Sequence, residues 1–143
     1  MTFYYFDHSN FPEIKLIFTK EIDSKYINNF FDEWLKIYDY KQPFYVIYDT
    51  SLLSTAPLNF VRKLLRFIKK IKKKDPQYLT KSILIVYDTT FARCLLNTAM
   101  AFTSPTSDLY IYWKKDNNTI INVDNVMTNL EKTPAIFQHI KSY

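Results

Sequence analysis

Glycine does not occur anywhere in the 143 residues. The dinucleotide-binding turn and the Walker loop need a residue without Cβ, so that backbone can close on a phosphate. The nucleophile elbow of the hydrolases is also built on glycine. All three motifs are therefore excluded, and the turns fall to Asn, Asp, Ser and Pro. Cysteine occurs once, at Cys94, so no internal disulfide is possible. Cys94 lies in an apolar helical stretch and reads as a small core residue. A lone thiol fits a reducing compartment, and a cytoplasmic location is expected. The two histidines, His8 and His139, stand at opposite ends of the chain with no ligand-like spacing. No metal site and no cofactor are expected, and with no nucleophile motif beside them no catalytic residue is expected either. No window approaches about 18 uninterrupted apolar residues, so no transmembrane helix is expected.

What remains is rich in large side chains. The chain is 48% hydrophobic and 18% aromatic, with 12 Tyr and 12 Phe, enough to bury the core of one domain. Phe3 to Asp7 and Glu13 to Lys20 read as a hairpin, the second strand alternating through Ile14, Leu16 and Phe18. Asp23 or Ser24 caps a helix to about Asp39 with the stripe Ile27, Phe30, Phe31, Trp34, Leu35 and Tyr38. Phe44 to Tyr48 is a strand covered on both faces. A helix from Pro57 to Lys74, a strand Ile83 to Tyr87, a helix Phe91 to Phe102 and a strand Leu109 to Trp113 follow. Residues Lys115 to Asn118 form a turn. Ile120 to Val123 is a short strand or the lead into a helix containing Val126, Met127 and Leu130. The expected fold is α/β: a mixed sheet of about five strands, with a hairpin, then βαβαβ, and helices packed on it. No linker divides the chain, so one domain is expected over 1–143, with a core of about 1–131 and a tail of 132–143.

Four constellations bear on function. Val46 to Ser51 and Ile85 to Thr90 echo one another, and both strands end in Tyr-Asp-Thr. Ligands bind beyond the carboxyl ends of strands in open sheets, so Asp49 and Asp88 are candidates for a paired-carboxylate site. The competing reading is that Asp, Ser and Thr cap the helices that follow. A basic helix holds Arg62, Lys63, Arg66, Lys69, Lys70, Lys72, Lys73 and Lys74, eight of the 19 basic side chains, with no acid before Asp75. Such a patch binds an anionic membrane surface or a nucleic-acid backbone, or else keeps a solvated face soluble. With no DNA-binding motif present, sequence-specific nucleic-acid binding is not expected. The stripe Phe91, Leu95, Leu96, Ala99, Met100 and Phe102 lines a lipid pocket or packs closely on the sheet. Finally, Tyr4, Tyr110 and Tyr112 are candidates for an exposed homodimer surface.

The stretches FYVIYDTSLLSTAPLNFVRKLLRF, KSILIVYDTTFARCLLNTAMAF and DLYIYW, followed by a short helix, carry a resemblance. Their order of strand, terminal Asp, polar loop and helix resembles the STAS domains, and among them the SpoIIAA-like proteins, distant relatives of the lipid-binding CRAL-TRIO fold. The resemblance implies a non-enzymatic, regulatory module that binds a protein partner. It places the partner-binding or phosphorylated loop at Asp49, Thr50, Ser51, Ser54 and Thr55, with Ser54 as the phosphoacceptor position, although the glycine usual after that position is missing. The leading expectation is such an interaction module. The alternative is a peripheral membrane or lipid-associating protein acting through the basic helix.

Overall fold

Alternation along Glu13–Phe18 (β2) turns Ile14, Leu16 and Phe18 to one face of a sheet and buries all three. The computed structural model describes residues 2–19, 21–53, 55–102, 105–115 and 121–142. Strand β2 pairs antiparallel with Tyr4–Asn10 (β1), closing the expected hairpin. Phe44–Asp49 (β3), Leu79–Tyr87 (β4) and Asp108–Lys114 (β5) then add in parallel, one after another. A sixth strand, Gln138–Ile140 (β6), joins β5 antiparallel. The sheet is mixed and its order is β1-β2-β3-β4-β5-β6. The expectation of about five strands falls one short because the tail supplies β6.

Ile27–Leu35 (α1), Leu58–Ile71 (α2) and Thr90–Phe102 (α3) are the three crossovers. The strand order never reverses, and crossovers of one hand place all three on the same face. That face presents Tyr48, Leu84 and Leu109. Buried α1 residues Ile27, Phe30, Phe31 and Trp34 pack there on β2 and β3. The reverse face carries Ile47, Ile83 and Ile85 and is covered by Ile121, Phe137 and Val126 of Val126–Lys132 (α4). Residues 121–123 form no strand but lead into the turn before α4, and Ile120 and most of the 115–118 turn lie outside the described residues.

The chain leaves α1 through a short 3-10 segment, Lys36–Tyr40, and reverses at Lys41, which is left-handed at φ 53 and ψ 38. Glycine normally takes this helix-end position because it has no Cβ to clash. In a chain without glycine, a lysine holds it at a cost. Lys41→Gly should raise stability by about 0.5–1 kcal/mol, after subtracting the larger unfolded-state entropy of glycine. A higher urea midpoint at unchanged m value is the reading that checks it.

Asp108 ties the tail down. Its carboxylate accepts from the Ser142 N–H at 3.0 Å and lies 3.0 Å from His139 Nε2. The Ser142 N–H, with His139 next, holds the Asp108 carboxyl below its ordinary range. Ser, His and Asp meet here, but Asp108 contacts both others, so this is a clamp and not a nucleophile aligned on its base. Of the three tyrosines offered for a homodimer surface, Tyr4 is buried, whereas Tyr110 and Tyr112 are half-buried. Tyr4 is 8% exposed within the aromatic core. Tyr110 stacks on His139 at 4.4 Å, and Tyr112 lies against Phe137.

Candidate functional site

Strand β4 is buried unevenly. On the reverse face Ile83 and Ile85 are 0% and 1% exposed, yet Leu84 and Val86, on the helical face, are only partly buried. The cause is α3, which does not seat on the sheet: none of its residues described for burial is fully buried. A cavity of about 300 Å³ lies between them. Tyr48, Ser82, Leu84 and Val86 make its floor, and Leu64, Ile68 and Ile71 of α2 one wall. Leu95, Leu96, Ala99 and Met100 of α3 make the other. Phe91, Leu95, Leu96, Ala99 and Met100 of the α3 stripe seen in the sequence therefore line a pocket instead of packing closely.

The chemistry of the wall is uniform. Among the described lining residues there is no Asp, Glu, Lys, Arg or His. Its hydroxyls are mostly satisfied from within. The Trp34 indole N–H donates to the Tyr48 hydroxyl at 3.0 Å. Burial pushes the Tyr48 phenol up to about 12, against the weaker opposing pull of hydrogen bonds with Trp34 and Ser82. Thr50 Oγ1 donates to the Ile85 carbonyl at 2.8 Å, and Thr89 Oγ1 caps α3 by accepting from the Ala92 N–H at 3.0 Å. Thr106 Oγ1 is buried with no partner among the described residues. A wall of this kind suits an apolar occupant and gives an ionised group no counter-charge.

The mouth can be located from exposure. Lining residues Thr55, Thr89 and Phe91, which follow β3 and β4, are exposed. At the other end Ile71, Leu79, Pro105 and Leu109 are buried. The cavity thus opens at the carboxyl edge of the sheet, between the 49–57 loop and the start of α3.

The loop residues named from the sequence serve this geometry. Asp49 Oδ1 accepts from the Ser51 N–H at 3.0 Å and its hydroxyl at 2.6 Å, a local turn, and does not cap α2, whose N-cap is Pro57 with no side-chain hydrogen bond. Thr50 is held as described, Thr55 stands at the mouth, and Ser54 lies outside the described residues. Asp49 is in register with Ile85, so Asp88 sits three residues farther along, roughly 10 Å away. The two aspartates form no paired-carboxylate site. Asp88 instead receives Arg93 at 2.5 and 2.9 Å, which holds its carboxyl below the ordinary range. The Arg93 guanidinium also lies 4.2 Å from the Trp113 ring centroid, pinning the first turn of α3 to β5. Cys94, expected in the core, is exposed. It shares the outward face of α3 with Asn97 and Thr98 along a shallow open depression.

The basic helix divides by function. Lys63 Nζ donates to Asn28 Oδ1 on α1 at 3.1 Å, and Lys74 lies 5.0 Å from the Tyr38 ring centroid. Lys72 is half-buried. Arg62, Arg66, Lys69, Lys70 and Lys73 are exposed, and among the described residues none of the five forms an ion pair. Among the described residues no cluster of metal-ligating side chains occurs and no helix is long and apolar enough to cross a membrane. Comparison of the chain with protein-family models, curated proteins and solved structures finds no match, and nothing in it identifies a STAS domain.

The sequence did not single out Tyr48, Ser82, Leu84, Val86 or Leu53 as pocket residues. Their types are those of any core strand. The one available signal was the small and flexible set Ala92, Ala99 and Met100 on the inner side of α3, which leaves room above the sheet.

Proposed function

We infer that the protein is a lipid-associating domain that takes one unbranched apolar chain, the acyl or alkyl part of an amphiphile, into the cavity under α3. The observation that carries this reading is an apolar cavity, with no charged side chain among its described lining residues, that follows β4 from Leu79 to Tyr87 and opens at one end. That stretch of strand spans about 26 Å. A volume of about 300 Å³ corresponds to roughly ten groups of water or methylene size. At about 0.8 kcal/mol per methylene, such a chain gains about 8 kcal/mol. Association costs at least about 4 kcal/mol of this, which leaves dissociation constants of about 1 mM or weaker. These are values for a carrier that exchanges its ligand.

Titration with a homologous series of straight-chain carboxylic acids, followed by calorimetry, tests it. Affinity should rise about fourfold per added methylene and level off near ten carbons, where the chain outgrows the cavity. No binding at any length, or binding that ignores length, sinks the proposal.

A second reading, the non-enzymatic STAS-like interaction module, is favoured by Leu52, which stands 65% exposed in the 49–57 loop. The two part on one variant. Filling the cavity from Leu84 weakens chain binding at least tenfold and leaves a protein partner docked at the loop unaffected.

A further inference from the structure

The side chains of α2 that point away from the cavity form a line. Arg62, Arg66 and Lys69, with Lys73 in the turn that follows, are spaced at i, i+4, i+7 and i+11 and so share one face. All four are exposed, and no acidic residue occurs from Thr50 to Lys74. Leu58, 64% exposed, lies on the same side of the helix one turn before Arg62. Leu52 is 65% exposed just ahead of it, and Phe91 is 53% exposed at the cavity mouth. Among the described residues, three of the six large apolar side chains that stand in solvent are thus gathered where β3 and β4 end.

We propose that this surface docks on an anionic lipid bilayer, with the α2 cations on lipid phosphates and Leu52, Leu58 and Phe91 entering the interface. Cations beside exposed aliphatic residues are the pattern of a helix lying in a membrane surface. A nucleic-acid backbone would use the cations but not the leucines. A stacking platform for bases would need exposed rings along the line, and the two α2 phenylalanines, Phe60 and Phe67, are buried in the core. Leu52 and Phe91 set one end of the docked face beside the cavity mouth, which shortens the path of a chain between bilayer and protein. The surface does not depend on the cavity reading, because the four cations point away from the lining.

Co-flotation of the full chain with phosphatidylcholine vesicles, with and without phosphatidylserine, tests the docking. Binding should need phosphatidylserine and fall steeply as salt rises. At about fivefold per basic side chain, replacing Arg62, Arg66, Lys69 and Lys73 by glutamine should weaken it on the order of several hundred-fold. Leu52→Asn with Leu58→Asn should weaken it several-fold further, and carboxylic-acid binding in solution should not change. Wild-type binding that is indifferent to phosphatidylserine, or a glutamine variant that still floats, overturns the docking and leaves the cavity reading standing. Equal retention on single-stranded DNA, insensitive to the leucine changes, overturns it as a general polyanion patch. Vesicle binding without any carboxylic-acid binding keeps the docking and removes the cavity reading.

Discussion

Replacing Phe30 with alanine should cost about 3–5 kcal/mol of unfolding free energy. Phe30 is 2% exposed and is the hub of the aromatic core. Its ring centroid lies between 5.0 and 5.9 Å from those of Phe3, Tyr4, Phe6, Phe18, Phe31 and Phe60. Those rings come from the ends of the hairpin, from α1 and from α2, so no single segment can close over the hole. The loss combines the transfer of the ring with a cavity that its neighbours cannot fill. For a domain whose whole stability is about 5–15 kcal/mol, this is a third or more of the total. Urea denaturation followed by tryptophan fluorescence reads it directly, since Trp34 belongs to the same cluster. Phe91→Ala, at a half-exposed ring, should stay within about 0.5 kcal/mol. Equal losses at the two positions would mean that the core does not centre on Phe30.

Leu84→Phe and Ile83→Phe should change stability in opposite directions, although the residues are adjacent on β4. Ile83 is 0% exposed under α4 and the tail. A larger ring there forces its neighbours off their rotamers, at about 1–3 kcal/mol. Leu84 faces the cavity, where the added ring finds room and apolar partners. Filling it should gain about 0.5–2 kcal/mol. The same ring occupies the space of the bound chain, so affinity for straight-chain acids should fall at least tenfold. That corresponds to losing the seat of about two methylenes. Destabilisation by both changes would show that α3 closes on the sheet in solution and that the cavity is not a stable feature.

Much of this architecture is legible in the residues. Strand β3 reads as doubly covered because Phe44 to Tyr48 is apolar without interruption, and Val46 and Ile47 are buried on opposite faces. The helical spacing of Ile27, Phe30, Phe31 and Trp34 places α1 on the sheet as drawn. Strand β6 is not legible, because Gln138, His139 and Ile140 show no alternation. It exists through the Asp108 clamp and the Trp113 indole N–H that donates to Gln138 Oε1 at 2.7 Å. Both contacts span more than twenty residues of sequence. The cavity is ambiguous for a deeper reason. An apolar stripe such as Leu95, Leu96, Ala99 and Met100 is the same whether the helix touches the sheet or stands off it. The distance is set by how α3 is pinned at its start, where the pairing of Arg93 with Asp88 and Trp113 is one that only the fold brings together. Cys94 was misplaced by the same uncertainty in the roll of α3.

The strand order has one more consequence, for how the chain reaches this state. Every strand pairs with the one just before it in sequence, so no segment has to wait for a distant partner. Each closure spans only a single hairpin or crossover, and the entropy of closing such loops grows slowly with length. A nascent chain can lay the sheet down from β1 towards β6 as it emerges, each new strand finding a finished edge. Among mixed sheets this is an order of comparatively low sequence separation, but its three parallel pairings each close over a crossover helix, which sets its folding between that of helical bundles and that of all-β domains. The last strand to arrive is the short β6, which pairs with Leu109 to Ile111 of β5.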